Sequence, residues 1–193
     1  MKSKLLLAVV AAMFLVTANV FAAGVKIGDS APDFKAKGVD GKDYDLGKAK
    51  DTKATVVCFT CNVCPVAVAY EDRFIEFAKK YQDKGVKFVA INVNSTEDIS
   101  AMKQRAEEKG FSFPYAYDDT GDSARAYGAR VTPHLFVVDN QGKIVYQGAF
   151  DDNQNKPTKH FVADAVDAVL AGKKPEVTET RAFGCGIRPK TAK

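Results

Sequence analysis

The sequence predicts an α/β sandwich built on one mixed sheet, parallel in its core and carrying an antiparallel edge pair. Three observations lead there. Thr55 to Phe59 is a β-branched and aromatic run that leads through a cysteine loop into a helical pattern and then a second apolar run, the order of a βαβ unit. Two later β runs flank Asn140-Gln141-Gly142, which reads as a hairpin. A final amphipathic helix follows them, so strands and helices share one sheet.

In chain order, residues 28–46 hold two short extended runs around a Gly38-Val39-Asp40-Gly41 turn. After the strand at Thr55 to Phe59, the apolar residues Val66, Tyr70, Phe74, Phe77 and Tyr81 recur at helical spacing until Gly85 ends the pattern. Val86 to Val93 reads as a buried strand. Ser95 to Lys109 reads as a helix opened by a Ser-x-x-Asp signal and closed by Gly110. A short helix precedes the hairpin strands Leu135 to Asp139 and Lys143 to Ala149. Phe161, Ala165 and Val169 mark the last helix, which stops at Gly172. Residues 173–193 have little apolar periodicity and read as a tail.

The N-terminus has its own logic. Lys2 and Lys4 precede an apolar run from Leu5 to Val16, and Val20 and Ala22 occupy the −3 and −1 positions of a cleavage site. That is the layout of a secretory signal peptide over residues 1–22. The competing reading is an uncleaved anchor, because Leu5 to Ala23 carries only Thr17 and Asn19 as polar residues. Cleavage after Ala22 would leave a domain over 23–172 and the tail over 173–193, with no stable membrane anchor. It would also leave 26 basic against 24 acidic residues, a balance without the basic footprint of a nucleic-acid binder.

All four cysteines, Cys58, Cys61, Cys64 and Cys185, lie beyond that segment, and an exported protein works where disulfides persist. Three fall within seven residues and the fourth is distant, unlike the dense framework of a small disulfide-stapled scaffold. Cys61-Asn62-Val63-Cys64 stands between a strand and a helix. A thiolate at a helix N-terminus faces unpaired N–H groups and the positive end of the dipole, which lowers its pKa. A two-residue gap lets a second sulfur close a small disulfide ring that opens again by thiolate exchange. The spacing therefore points to Cys61 as nucleophile and Cys64 as resolving thiol, with no cofactor and no metal required.

Other chemistries are open to closely spaced cysteines. Buried cysteines often serve as small hydrophobes. An iron–sulfur run would need a nearby fourth ligand, and Cys58 lies inside the apolar strand. Haem attachment needs His after the second cysteine, where Pro65 stands. Soft thiolates select Cu(I), but copper carriers of this architecture space their cysteines by three residues.

Gly28-Asp29-Ser30-Ala31-Pro32-Asp33-Phe34, Cys61-Asn62-Val63-Cys64-Pro65, Ala69-Tyr70-Glu71-Asp72-Arg73, Val131-Thr132-Pro133 and Gly184-Cys185-Gly186-Ile187 together resemble the redoxin branch of the thioredoxin superfamily, including proteins labelled alkyl hydroperoxide reductase or thiol-specific antioxidant. The resemblance spans nearly all of the chain beyond residue 22. It implies a thioredoxin-like three-layer sandwich with helices on both faces of the sheet, and a dithiol centre at Cys61 and Cys64. It also implies a cis-proline at Pro133 that offers the Thr132 backbone to a partner's extended chain by strand addition. Three positions depart from the wider pattern: Thr60 stands where thioredoxins carry a tryptophan, Thr55 where they place a buried acid, and Cys61 where peroxiredoxins place a threonine.

Cys185 lies 121 residues beyond Cys64, between two glycines that let the backbone turn sharply. It is a candidate relay thiol close to the redox loop, with a Cys58 disulfide and a free thiol as the alternatives. His134, beside Pro133, is a candidate base or ligand whose bland alternative is a core histidine; His160 reads as a surface residue. Glu71 and Asp72 read as solvated or paired.

The expected function is thiol-disulfide exchange with protein or small-molecule thiols and disulfides, in a periplasmic or secreted setting. Hydroperoxide reduction by the same cysteines is the second reading and copper carriage the third.

Overall fold

The computed structural model describes residues 24–45 and 52–189. The expected signal peptide and its cleavage site lie outside the described residues. Among the described residues, no helix is long and apolar enough to cross a membrane.

The elements the sequence predicts appear in the predicted order, joined by three short strands it does not predict. Strands β1 (Lys35–Gly38) and β2 (Asp43–Asp45) form a hairpin. The βαβ unit comprises β3 (Ala54–Thr60), α1 (Pro65–Gln82) and β4 (Val86–Asn92). Then come α2 (Ile99–Lys109), β5 (Tyr115–Tyr117), α3 (Asp122–Tyr127) and the two-residue β6 (Val131–Thr132). Strands β7 (His134–Asp139) and β8 (Ile144–Gly148), helix α4 (Phe161–Leu170) and β9 (Cys185–Gly186) complete the chain.

Seven strands make one sheet in the order β2-β1-β5-β4-β3-β7-β8. Strands β3, β4 and β5 run parallel, while β7 and β8 form the antiparallel edge pair. The pleat sends alternate residues to opposite faces. Val56 and Cys58 therefore join Phe74, Phe88, Met102 and Val166 in a core under α1, α2 and α4, whereas Val57 and Phe59 join Ile91, Tyr127 and Phe136 in a second core under α3. Each fully buried side chain of this size stabilises the fold by about 1.5–3 kcal/mol. Helices thus cover both faces of a thioredoxin-like sandwich.

Local chemistry explains the boundaries. Residues Asn140 to Gly142 close the β7–β8 hairpin: Gly142 takes φ +75°, and the Asp139 carboxylate accepts the Gln141 and Lys143 N–H groups at 2.8 and 2.9 Å. Helix α2 begins later than the Ser95 signal predicts. Asp98 is its N-cap, accepting the Ala101 N–H at 2.8 Å, and the Ser95 N–H is instead given to the Arg188 carbonyl at 2.9 Å. Gly110 closes it in the left-handed conformation, as predicted.

The segment after α4 is more than a bland tail. Thr180 accepts the Ala149 N–H at 3.0 Å and lies within 2.6 Å of the Tyr146 hydroxyl, and the Phe183 ring packs on Tyr70. Strand β9 then pairs antiparallel with β6.

Candidate active site

The C-terminal ends of parallel strands β3 and β4 open onto one region, the usual place for a site in an α/β sheet. The loop Cys61 to Cys64 leaves β3 there, and α1 starts at Pro65. Proline suits the first helical position because its missing N–H would have been unpartnered anyway. This choice decides which sulfur meets the helix end. Cys64, not Cys61, is the N-cap of α1, and its Sγ accepts the Ala67 N–H at 3.5 Å.

Thr132 binds the two thiols together. Its Oγ1 lies 3.3 Å from Cys61 Sγ, and its carbonyl accepts the Cys64 thiol at 3.2 Å. The Thr132–Pro133 peptide bond is cis. Cys185 packs against Cys61, Cys64 and Ala67. All four cysteines are free thiols. A cavity of about 230 Å³ is lined by Cys61, Val63, Cys64, Thr132, Cys185 and Ile187 among others.

The two thiols of the loop differ electrostatically. Burial pushes Cys61 up, and the nearby Glu97 carboxylate adds to that, against the Thr132 hydrogen bond. Burial acts first on Cys64 and would raise it, but the neighbouring Cys185 thiol, the Ala67 N–H and the Thr132 hydroxyl outweigh it and bring this thiol below its ordinary value. Cys185 is raised to about 11, chiefly by the neighbouring Cys64 thiol and then by burial. The expectation that Cys61 stands at the helix N-terminus is corrected in its geometry: the N-cap of α1 is Cys64, three residues on.

A Redoxin family model matches residues 26–166. The chain belongs to the redoxin family. Thiol-disulfide oxidoreductase ResA of Bacillus anthracis is 32% identical over 128 residues, 64% of this redoxin and 69% of that protein. An uncharacterized conserved protein of Geobacillus kaustophilus is 34% identical, covers 91% of this redoxin and 96% of its own chain, and superposes with a TM-score of 0.81. A hypothetical protein of Sinorhizobium meliloti 1021 is 32% identical over 88% of this redoxin and 97% of its own chain, also with a TM-score of 0.81.

The structure of this redoxin brings Cys61, Cys64, Thr132, Pro133 and Cys185 to one place. It leaves other candidates elsewhere. Cys58 is fully buried in β3 between Ala90 and Leu135, and burial holds its thiol well above the ordinary value. The His134 ring stacks on Phe136, with centroids 4.6 Å apart. Glu71 makes a two-point ion pair with Arg105 and Asp72 pairs with Lys109, so both are structural, as read. Among the described residues, no group of three or more His, Cys, Asp or Glu side chains is arranged to hold a metal ion.

Sequence reasoning missed Glu97. Its carboxylate is buried at the cysteine loop and accepts the Asn62 N–H at 2.9 and 3.2 Å; burial raises its pKa despite hydrogen bonds from Asn92, Asn62 and Val63. Tyr115 completes the clamp, donating to Asn62 Oδ1 at 2.8 Å and accepting from Asn92 Nδ2 at 3.3 Å. A signal was present: an acid just beyond β4, at the same strand ends as the cysteine loop.

Proposed function

We propose that this redoxin is an exported thiol-disulfide oxidoreductase whose dithiol centre is Cys61 and Cys64, acting on thiols and disulfides of proteins or small molecules. One observation carries the reading: the two sulfurs of a single Cys-x-x-Cys loop converge on Thr132, at 3.3 and 3.2 Å from its hydroxyl and carbonyl oxygens. The name of the Bacillus anthracis relative supports the same chemistry.

The residues divide the work. Cys64, at the helix N-cap, supplies the thiolate that attacks a partner disulfide, forming a mixed disulfide and releasing one partner thiolate. Cys61, one loop away, then attacks Cys64 Sγ, closing the Cys61–Cys64 bond and releasing the second. Two electrons and two protons pass from the dithiol to the partner, and the reverse sequence oxidises a partner dithiol. Val63, 58% exposed between the cysteines, adds apolar contact surface for that partner. Thr132 and Pro133 shape the wall it meets.

Export rests on the signal-peptide layout of residues 1–22, with a domain from 23 to 172. Hydroperoxide reduction is the second reading, favoured by the cavity of about 230 Å³ beside both thiols, which admits a small oxidant.

The test is insulin-disulfide reduction and glutathione-disulfide turnover by the mature chain, beside peroxide turnover. Cys61→Ser/Cys64→Ser should lose all exchange, and N-terminal sequencing of exported protein should begin at Ala23. Unchanged exchange in the double variant would overturn the assignment of the centre.

A further inference from the structure

The two active thiols are closed in: Cys61 is 4% exposed and Cys64 is 1% exposed. What closes them is the chain's own C-terminal strand. Thr132, which both thiols touch, stands directly opposite Cys185 in the β6–β9 ladder, and Val131 stands opposite Gly186. The Ile187 N–H extends the pairing to the Arg130 carbonyl at 2.9 Å. A partner segment that adds to the sheet through the Thr132 backbone would need this same edge. It is already occupied, and by a segment that carries a cysteine.

The strand is shaped for that position. A Cβ on Gly184 would stand 1.9 Å from the Thr132 carbonyl oxygen, and its φ of +150° is one that other residues rarely adopt. Upstream the chain is pinned, since Thr180 exchanges backbone and side-chain hydrogen bonds with Gln147 and Ala149. From Gly184 onward the strand is held by the β6 ladder and by the Arg130–Ile187 and Ser95–Arg188 backbone hydrogen bonds, and within it Cys185 is the most exposed sulfur of the cluster.

We propose that residues 184–187 are a built-in substrate strand, and that Cys185 exchanges with the Cys61–Cys64 disulfide to carry it to the surface as a Cys64–Cys185 disulfide. The proposal rests on the dithiol centre assigned above. In the exchange, the Cys185 thiolate attacks Cys64 Sγ. The Cys61–Cys64 bond breaks, the Cys64–Cys185 bond forms, and Cys61 leaves as thiolate and takes up the proton Cys185 gave up, beside the Thr132 hydroxyl. Nothing is oxidised or reduced overall. A partner dithiol then attacks Cys185 Sγ and expels the Cys64 thiolate. Its second thiol displaces Cys185, leaving the partner as a disulfide and Cys61, Cys64 and Cys185 all as thiols.

The experiment is disulfide mapping by peptide mass after reduced Cys61→Ser protein is treated with oxidised glutathione. A Cys64–Cys185 peptide should exceed the Cys64–glutathione adduct about tenfold, because the tail thiol is held beside its target. In Gly184→Val, whose side chain cannot share space with the Thr132 carbonyl, that excess should vanish and iodoacetamide should reach Cys64 faster. A Cys61→Ser protein carrying only Cys64–glutathione, with wild-type protein still forming Cys61–Cys64 and turning over glutathione disulfide, would overturn the relay alone. Wild-type protein unable to form Cys61–Cys64 would overturn the dithiol centre beneath it.

Discussion

The Glu97 carboxylate takes the Asn62 backbone N–H at 2.9 and 3.2 Å, so a buried acid holds the residue that follows Cys61. Its negative charge is also one of the causes that raise the Cys61 thiol. Glu97→Gln keeps an acceptor for the N–H and removes the charge. The pH at which Cys61 reaches half its limiting alkylation rate should fall in this variant. A profile identical to wild type would show that the carboxylate positions the loop without acting on the sulfur.

The same carboxyl links the site to stability. Its pKa in the folded protein is raised above the ordinary 4.5, chiefly by burial. The folded state then holds the proton more tightly than the unfolded chain, so this contribution is fully present below pH 4.5 and is lost as pH rises through the raised value. Urea midpoints of wild type and Glu97→Gln should therefore diverge with increasing pH, the variant gaining ground.

Cys64 should titrate below Cys61. Its N-cap position and the Ala67 N–H favour the thiolate, whereas burial and Glu97 disfavour it at Cys61. Site-resolved iodoacetamide kinetics across pH measure both. The reverse order would return the attacking role to Cys61.

His134 should make the protein acid-sensitive. Burial lowers its pKa from 6.5 to about 4, and its Nδ1 has no hydrogen-bond partner among the described residues. The unfolded state binds the proton first, so stability is lost as pH falls from 6.5 towards 4, by about 2 kcal/mol at pH 5. Guanidinium unfolding at pH 7 and pH 5 should show this loss in wild type and not in His134→Leu.

Tyr115→Phe removes the hydroxyl that joins Asn62 to Asn92. It should cost about 1 kcal/mol of stability, or more if Asn62 Oδ1 is left without a donor. Exchange by Cys61 and Cys64 should slow as their loop loosens, and denaturant melts with glutathione-disulfide turnover report the two effects separately.

Periodicity, turn chemistry and cysteine spacing made the fold class legible from the sequence: the βαβ unit, the hairpin at Gly142, the Gly110 cap and the Cys-x-x-Cys loop are all local patterns. Which sulfur caps α1 was also local, since Pro65 suits the first helical position, but the spacing argument placed Cys61 at the helix end. Tertiary structure alone decided the rest. Glu97 meets Asn62 across 35 positions, Thr132 meets Cys61 across 71, and Cys185 meets Thr132 through a two-residue ladder. Alternation in a strand reports that a face is buried, not which distant residue buries it. For the same reason the segment from 177 to 188, with no period of its own, read as a tail until the β6 edge and Thr180 contacts placed it over the thiols.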